Sequence, residues 1–526
     1  MNDNQIYNRP MMRQMPPGMG QQRRPAPQGW RGRWMRRFGM DIEMPMHMAL
    51  TIPNWLIGKS IVFFFVAFGL CTFVFGYPME FRDAFIAGIS VVLFFYGGLS
   101  MSKTWERKKS KVFVRNIFVA GFAVRLLWVL YCYFIFNPNY HGNTFGITSD
   151  VEWYMPYGKA IAEWLTGDSM ATFADLRAEW GGHIDDVGYP IWLAIVNILM
   201  GGESDVFMPF VFKCIASAYC SVCIYHVAKR HFGEGVARMA AIFVCVNPNM
   251  IYWCGNMFKE AEMVFLCCLC VDLVDQAFSS KKPLTFQTLL PGVLAGSGLF
   301  FFRAALAVVI FLAMGAHIVM ASQRVMSTGK KVLAGVMVVV TLLVGIGDSL
   351  RSQTESMMNR VQSDSQKTNM EWRSEREDGY NTFAKYASAA VFAPLIFTIP
   401  FPSFNVAEEG QVLQRQLSGG SYIKNVLSFF VIMVMLMMLI SGEWRQHVFI
   451  LAYTVGYLVT LVLSEFAQSG RFHMPIWPML MLFAAYGIQI AKKNGRMKRW
   501  YTIVLVLEVV ACLAWNWYKL AGRGLI

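Results

Sequence analysis

Charge is scarce in this chain: Asp, Glu, Lys and Arg make up 15% of its 526 residues, against 56% hydrophobic. A soluble domain carries about 25% charged residues, so an ordinary water-facing surface is excluded. Zinc-ligand spacing is missing as well. Cys220 and Cys223 form a CxxC pair, but no second pair or His cluster completes a site. The eleven cysteines make no disulfide framework. Cys214, Cys220, Cys223, Cys245, Cys267, Cys268 and Cys270 lie inside apolar runs, where a thiol packs as a small hydrophobe. No apolar core follows a short basic start, so the N-terminus does not read as a cleavable signal peptide. No internal repeat is visible, which weighs against a transporter.

What the chain has instead is long apolar runs. A spanning helix needs about 20 mostly apolar residues. Such runs fall near 56–75, 84–101, 114–136, 207–227, 236–253, 263–277, 286–302, 304–321, 332–347, 422–440, 448–463, 472–491 and 501–518. The expected fold class is an all-α integral membrane protein of about thirteen transmembrane helices. The shorter run 189–200 reads as a helix in the outer interface. The run 387–402, with Pro394, Pro400 and Pro402, reads as a re-entrant or interfacial piece.

Loop charge gives the sidedness. The basic short loops are 103–111, 228–231, Lys281-Lys282, Arg324 with Lys330 and Lys331, and Lys492, Lys493, Arg496, Lys498 and Arg499. Alternating the spans puts all of them on one side, which the positive-inside rule makes cytoplasmic. The net charge of +14 therefore belongs to topology, and no nucleic-acid partner is implied. Residues 1–40 hold eight Arg against one Asp, so 1–50 is expected to be a disordered, basic cytoplasmic tail. Trp30, Trp34 and Phe38 interleave there with Arg31, Arg33, Arg36 and Arg37. The tail is either a solvated topology signal or a segment lying on anionic membrane lipids. Beyond it the chain divides into two leading spans (51–112), a core (113–347) whose first outer loop is 137–206, a second outer segment (348–421) and C-terminal spans (422–526).

On the outer face this topology gathers Asp150, Glu152, Asp185, Asp186, Glu260, Arg303 and Arg471. Asp150 stands at the start of an amphipathic helix. Either it caps free backbone N–H groups or it is a positioned base, and a cap that fixes the carboxylate serves both. Glu260 sits between two spans. A carboxylate so close to hydrocarbon is paired or functional, and Lys259 beside it is the obvious partner for Glu260 or Glu262. Arg303 interrupts an apolar stretch, and Arg471 precedes Phe472-His473-Met474-Pro475. Arginine at this depth either snorkels or offers its planar fork to a phosphate. Asp150 and Glu260 are also the only candidate ligands for a divalent cation. His141, His183 and His473 fall on the same face.

Several patches now fall into order: Arg125-Leu126-Leu127, Ser149-Asp150-Val151-Glu152-Trp153-Tyr154, Lys159-Ala160-Ile161-Ala162, Gly188-Tyr189-Pro190-Ile191-Trp192-Leu193-Ala194 with Gly201, His231-Phe232-Gly233, Asn247-Pro248, Glu260, and Arg471-Phe472-His473-Met474-Pro475. Over roughly 115–490 this order resembles the GT-C superfamily of membrane glycosyltransferases. Within that superfamily it is similar to the protein mannosyltransferase and aminoarabinose transferase-like group (glycosyltransferase family 39-like). The resemblance implies a GT-C-like bundle with outer-face interfacial helices. It makes Asp150 the base that deprotonates the acceptor, with Glu152 beside it, and Glu260 the second outer-loop acid. Arg303 and Arg471 become contacts to the donor phosphate. Lys259, Tyr154 and Asp186 become further substrate-binding candidates. The implied donor is a polyprenyl-phosphate sugar, and the acceptor an envelope glycan, lipid or protein. Two departures stand out. The family's first-loop acid is often paired directly, whereas Glu152 is two residues on. Asp185-Asp186-Val187 also stands where Lys or Pro is common.

Three alternatives remain. One is an O-antigen polymerase or ligase-like enzyme with a diphosphate-linked donor, working through Arg351, Arg360, Arg373 and Arg376. Another is a polytopic lipid or solute transporter. The last is a non-catalytic subunit of an envelope-synthesis complex. The expected location is a bacterial inner membrane, with the N-terminus cytoplasmic and the active site periplasmic. In intact cells a Ser149→Cys variant is therefore expected to react with a membrane-impermeant maleimide. A Ser110→Cys variant is expected to react only after the membrane is opened, and the reverse pattern overturns the topology.

Overall fold

The structure is a computed structural model that describes residues 51–76, 81–136, 150–170, 172, 174–176, 186–202, 207–280, 285–320, 416–463, 470–492 and 495–521. Several sequence expectations lie outside these residues: the basic tail, the span 332–347, the interfacial piece 387–402, His141, His183 and the arginines 351, 360, 373 and 376. Among the described residues the regular structure is helical and no strand occurs. The helices are α1 (Asn54–Phe75), α2 (Phe81–Thr104), α3 (Ser110–Leu130, continued by a π-helical turn Tyr131–Phe136), α4 (Asp150–Thr166), α5 (Gly188–Leu199), α6 (Phe207–Phe232), α7 (Glu234–Cys245), α8 (Glu260–Ser279), α9 (Phe286–Gly298), α10 (Phe300–Met320), α11 (Ser418–Ser441), α12 (Val448–Leu463), α13 (Trp477–Lys492) and α14 (Gly495–Ala521). By length and apolar composition, seven segments among the described residues suit a membrane crossing. They are α1, α2, α3 with its π turn, α6, α10, α11 and Met474–Lys492. Among the described residues, the expected spans 236–253, 286–302 and 448–463 form shorter helices and α8 carries more charge, so thirteen crossings are not reached by this measure.

The core forms around α13, every residue of which is buried from Trp477 to Ala491. It packs chiefly on α7 and α11, while α6 packs on α3, α7 and α8. Close approach requires Gly487, where a Cβ would come within 2.7 Å of the Phe430 carbonyl oxygen. The two leading helices join the C-terminal part of the bundle. Ser60 lies 2.6 Å from the Tyr501 hydroxyl, and Cys71 Sγ lies 3.8 Å from Cys512 Sγ, so α1 and α14 run side by side in the same direction. Apolar side chains on α1 (Val62, Phe65, Phe73) and α14 (Ile503, Leu507, Val510) remain exposed. An exposed apolar face of this extent suits lipid rather than water.

The expected single span 236–253 is instead two pieces. Pro248 has no N–H to give and restarts the helix, and the Asn247 side chain accepts from Met250 N–H at 3.1 Å as its cap. The break leaves the last carbonyls of α7 open, and Arg125 fills it. Its guanidinium is fully buried and donates to Ser217 Oγ, Gly121 O, Cys245 O and Val244 O at 2.8–3.3 Å. A cation at a helix C-terminus is favoured by the orphan carbonyls and the helix dipole. Arg125 is thus part of the scaffold.

One end of the bundle collects the basic loops. Gly233 turns the chain between α6 and α7 with φ +84°, a conformation L side chains avoid. Arg238 donates to the carbonyls of Trp105, Glu106 and Lys108, tying the 103–111 loop to α7. Arg230 pairs with Asp272 at 2.6 Å and Asp275 at 2.5 Å, and His231 bridges Asp275 to His447 at 2.7 Å each way. Burial and the neighbouring His231 hold the His447 imidazole down at about 4. Lys492 reaches Thr51 at 3.5 Å at the same end. The loops expected to be cytoplasmic therefore do meet, insofar as they are described. From there α6 and α8 run about 30 Å to the other end.

Glu234, at the start of α7, accepts from Ser110, Tyr225, Lys229 and Arg238. Burial alone would raise this carboxyl, but the hydrogen bonds from Arg238, Lys229, Tyr225 and Ser110 outweigh it and hold it at about 2. A depressed carboxyl adds stability above its unfolded value, near 4.5, and loses it as pH falls through the folded one. Glu234→Gln is therefore expected to lower the thermal midpoint of the purified protein at pH 7. The gap to wild type should close as pH falls from about 4.5 towards 2, and a gap unchanged by pH overturns the assignment.

Candidate active site at one end of the bundle

The opposite end is organised by the first turn of α8. Lys259, Glu260 and Glu262 are all buried there, and each pairs with a different part of the chain. Lys259 pairs with Asp186, which leads into α5. Glu260 pairs with Arg471, just ahead of α13. Glu262 faces Lys213 of α6 at 3.7 Å. The pairings expected from neighbourhood, Lys259 with Glu260 or Glu262, are replaced by three long-range ones. Glu260 is adjacent to Lys259 and points to a different face, whereas Glu262, three residues on, is drawn to Lys213 of α6.

Asp186 has φ +82°, unusual outside glycine though Asp is among the residues that tolerate it. Two residues on, a Cβ at Gly188 would fall 2.5 Å from the Phe302 ring, so only glycine lets α5 approach α10 this closely. At the same contact the backbone of Arg303 leaves helical geometry (φ −165°, ψ 102°). The break expected at Arg303 is therefore present: Leu299 still has helical angles, and the chain leaves the helix at Arg303 before the rest of α10 begins. Arg303 Nη1 donates to the Tyr457 hydroxyl at 3.3 Å, and its guanidinium lies 4.3 Å from the Phe472 ring centre. The Arg471 guanidinium lies 4.3 Å from the Phe258 ring. The two arginines are linked through the chain, because Phe472 under Arg303 follows Arg471 directly, and Tyr457 also donates to the Phe472 carbonyl at 2.9 Å. A guanidinium on an aromatic face keeps its edge donors for other partners.

Sequence reasoning passed over Lys213 and Lys424. Lys213 is wholly buried in the apolar helix α6. A charge at the centre of a spanning helix costs about 2.5–3.5 kcal/mol on insertion scales, and such a lysine was a legible signal. It donates to Asn256 O at 2.7 Å and Phe258 O at 2.5 Å and lies 4.7 Å from the Tyr189 ring centre. Tyr189 in turn packs edge-on against Tyr154 at 5.1 Å and donates to Met257 Sδ at 3.4 Å. Lys424, inside α11, lies 3.0 Å from His473 Nδ1, two residues from Arg471.

Tyr154 brings α4 into this cluster. Asp150, the first residue of α4, precedes Tyr154 by one helical turn. The side chains of Asp150 and Glu152 lie outside the described residues. Glu260, Arg303, Arg471, Lys259, Tyr154 and Asp186 therefore share one end of the bundle with Lys213, Glu262 and Tyr457. Glu260 Oε2 is buried and finds no hydrogen-bond donor among the described residues. No three His, Cys, Asp or Glu side chains among them gather as a metal site, and the cation expectation depends on the Asp150 side chain.

Breaking a buried pair by removing one partner costs about 3–5 kcal/mol, whereas removing both charges is far milder. Arg471→Met is therefore expected to lower the thermal midpoint more than Arg471→Met combined with Glu260→Gln. A double variant less stable than the single one overturns the pairing.

The chain was compared with known proteins. Residues 189–346 match the family model described as dolichyl-phosphate-mannose-protein mannosyltransferase. The matched stretch holds Tyr189, Lys213, Lys259, Glu260, Glu262 and Arg303, and leaves out Asp150 and Arg471. No curated protein and no solved structure matches the chain. The matched segment lies within a bundle that, among the described residues, is all helical and has several apolar helices of membrane-crossing length, and over that segment the chain is similar to a family of membrane glycosyltransferases of the GT-C type.

Proposed function

We propose that the protein transfers a sugar from a polyprenyl-phosphate donor to an envelope glycan, lipid or protein at the periplasmic face of a bacterial inner membrane. The observation that carries this reading is the gathering of Arg303, Arg471 and Glu260 with the Tyr154 end of α4 at the end away from the basic loops. The matched family's name contains a dolichyl-phosphate sugar, itself a polyprenyl phosphate, which agrees with the donor class.

A sugar on a lipid phosphate is already activated. Asp150 takes the proton from the acceptor hydroxyl or amine, and the freed lone pair attacks the anomeric carbon. The bond from that carbon to the phosphate oxygen breaks, and the electron pair leaves with the polyprenyl phosphate. A single displacement of this kind inverts the anomeric centre. Arg303 and Arg471, stacked on Phe472 and Phe258, offer guanidinium N–H groups to the charge growing on the departing phosphate. Glu260 aims Arg471, and its unbonded oxygen is available to an acceptor N–H or O–H. Lys259 and Asp186 close the α5 side of the site, Tyr154 seats the catalytic turn of α4, and Glu152 is the second acid of that turn. The residues of the diphosphate-donor alternative lie outside the described part of the chain, and no observation favours it.

The test is reconstitution in lipid vesicles with a radiolabelled polyprenyl-phosphate sugar and an envelope extract as acceptor. General-base assistance contributes about 10²–10⁴-fold, so Asp150→Asn is expected to lose transfer by at least about 100-fold. Undiminished transfer by this variant removes Asp150 from the mechanism, and no transfer by wild type removes the donor class.

A further inference from the structure

Lys213 belongs to no catalytic role in the reading above, yet it is a heavily engaged charge at that end of the bundle. It lies on α6 and is completely buried. Its ammonium donates to two carbonyls on either side of Met257, those of Asn256 and Phe258, at 2.7 and 2.5 Å. The Glu262 carboxylate stands 3.7 Å away and the Tyr189 ring face 4.7 Å away. One side chain thus ties α6 to α5, to α8 and to the connection between Gly255 and Lys259.

That connection is also held by Asn256, which donates to Tyr252 O at 3.2 Å, and by Phe258 edge-on to Trp253, but Lys213 binds its backbone at two points. Gly255 is pressed against Trp128 and Cys132, where a Cβ would come within 2.9 Å of both. The next three residues lie between this contact and the first turn of α8. Their side chains do separate jobs: Met257 accepts from Tyr189, and Phe258 offers its ring face to Arg471. Glu260, two residues further, pairs with Arg471. The ring and the carboxylate described here against the Arg471 guanidinium therefore both come from a stretch whose backbone is clamped by Lys213.

We propose that Lys213, balanced by Glu262, is a positioning residue that fixes the 256–260 stretch so that Phe258 and Glu260 hold Arg471 in its donor-facing orientation. It touches no substrate itself. A purely structural lysine would lower stability everywhere without singling out one arginine. The consequence for catalysis rests on the donor reading given above, whereas the effect on Arg471 does not.

The test uses the full chain in lipid nanodiscs and the double variant K213M/E262Q, which removes both charges together so that neither is left buried alone. Each arginine is modified with phenylglyoxal, and the rates are read peptide by peptide by mass spectrometry. Residue 471 is expected to react at least about 5-fold faster in the double variant, with Arg303 within about 2-fold of wild type and the thermal midpoint nearly unchanged. In the transfer assay kcat/KM for the donor is expected to fall about 10-fold, with kcat carrying much of the loss because Arg471 meets charge that grows on the leaving phosphate. An unchanged rate at residue 471 overturns the proposal, and so does an equal acceleration at every arginine, which marks general loosening. If residue 471 is released as expected but wild type turns over no lipid-phosphate sugar, the positioning role stands and the donor assignment fails.

Discussion

The first turn of α8 is the constraint on which the active end depends. Within four residues it presents Lys259, Glu260 and Glu262, and each meets an opposite charge from a different stretch of chain. Charges at this depth are costly alone and tolerable in pairs. The pairing therefore decides which helices can stand next to one another. α5, α6 and the turn before α13 are drawn to one point, and the aromatic rings of Phe258, Tyr189 and Phe472 fill the space between the charges. Such an arrangement suits the anionic lipid head of the proposed donor beside hydrocarbon. The cations have to be kept soluble in the fold before a ligand arrives, and kept pointing inward.

Much of this was legible in the sequence. Apolar runs gave the helices, and alternating them against the basic loops sorted the charged residues onto two ends. The structure brings together the described members of each set. The interfacial helix expected at 189–200 is α5. Residues 236–253 were less legible. The run is apolar throughout, but the break follows from Asn247-Pro248, a cap and a residue without an N–H, which composition alone does not weigh. The pairing partners were not legible at all. Sequence neighbours suggested Lys259 with Glu260 or Glu262: a helix turns about 100° per residue and separates Lys259 from Glu260, while Glu262 is taken by Lys213 from another helix, a partner that local spacing does not announce.

Two buried cations show how the same cost is met for different ends. Arg125 and Lys213 both sit in apolar helices with no exposure. Arg125 spends its donors on the last carbonyls of a helix interrupted by proline, and its surroundings are ordinary scaffold. Lys213 clamps a connection whose neighbouring side chains reach the candidate site. Hydropathy gives the two residues the same signature, and only the identity of the acceptors separates them.

The side-by-side run of α1 and α14 bears on how the protein is made. Ser60 and Tyr501, in contact across this seam, are 441 residues apart. A ribosome adding about 5–20 residues per second needs roughly 20–90 s to travel from one to the other. Through that interval α1 is in the bilayer without α14: the Ser60 hydroxyl donates to Leu56 O within its own helix at 2.7 Å, but the face that later meets Tyr501 and Cys512 stays open to lipid. Insertion machinery or a membrane chaperone that shelters early helices is a natural companion of such a layout, and truncation before α14 exposes the same seam to membrane quality control.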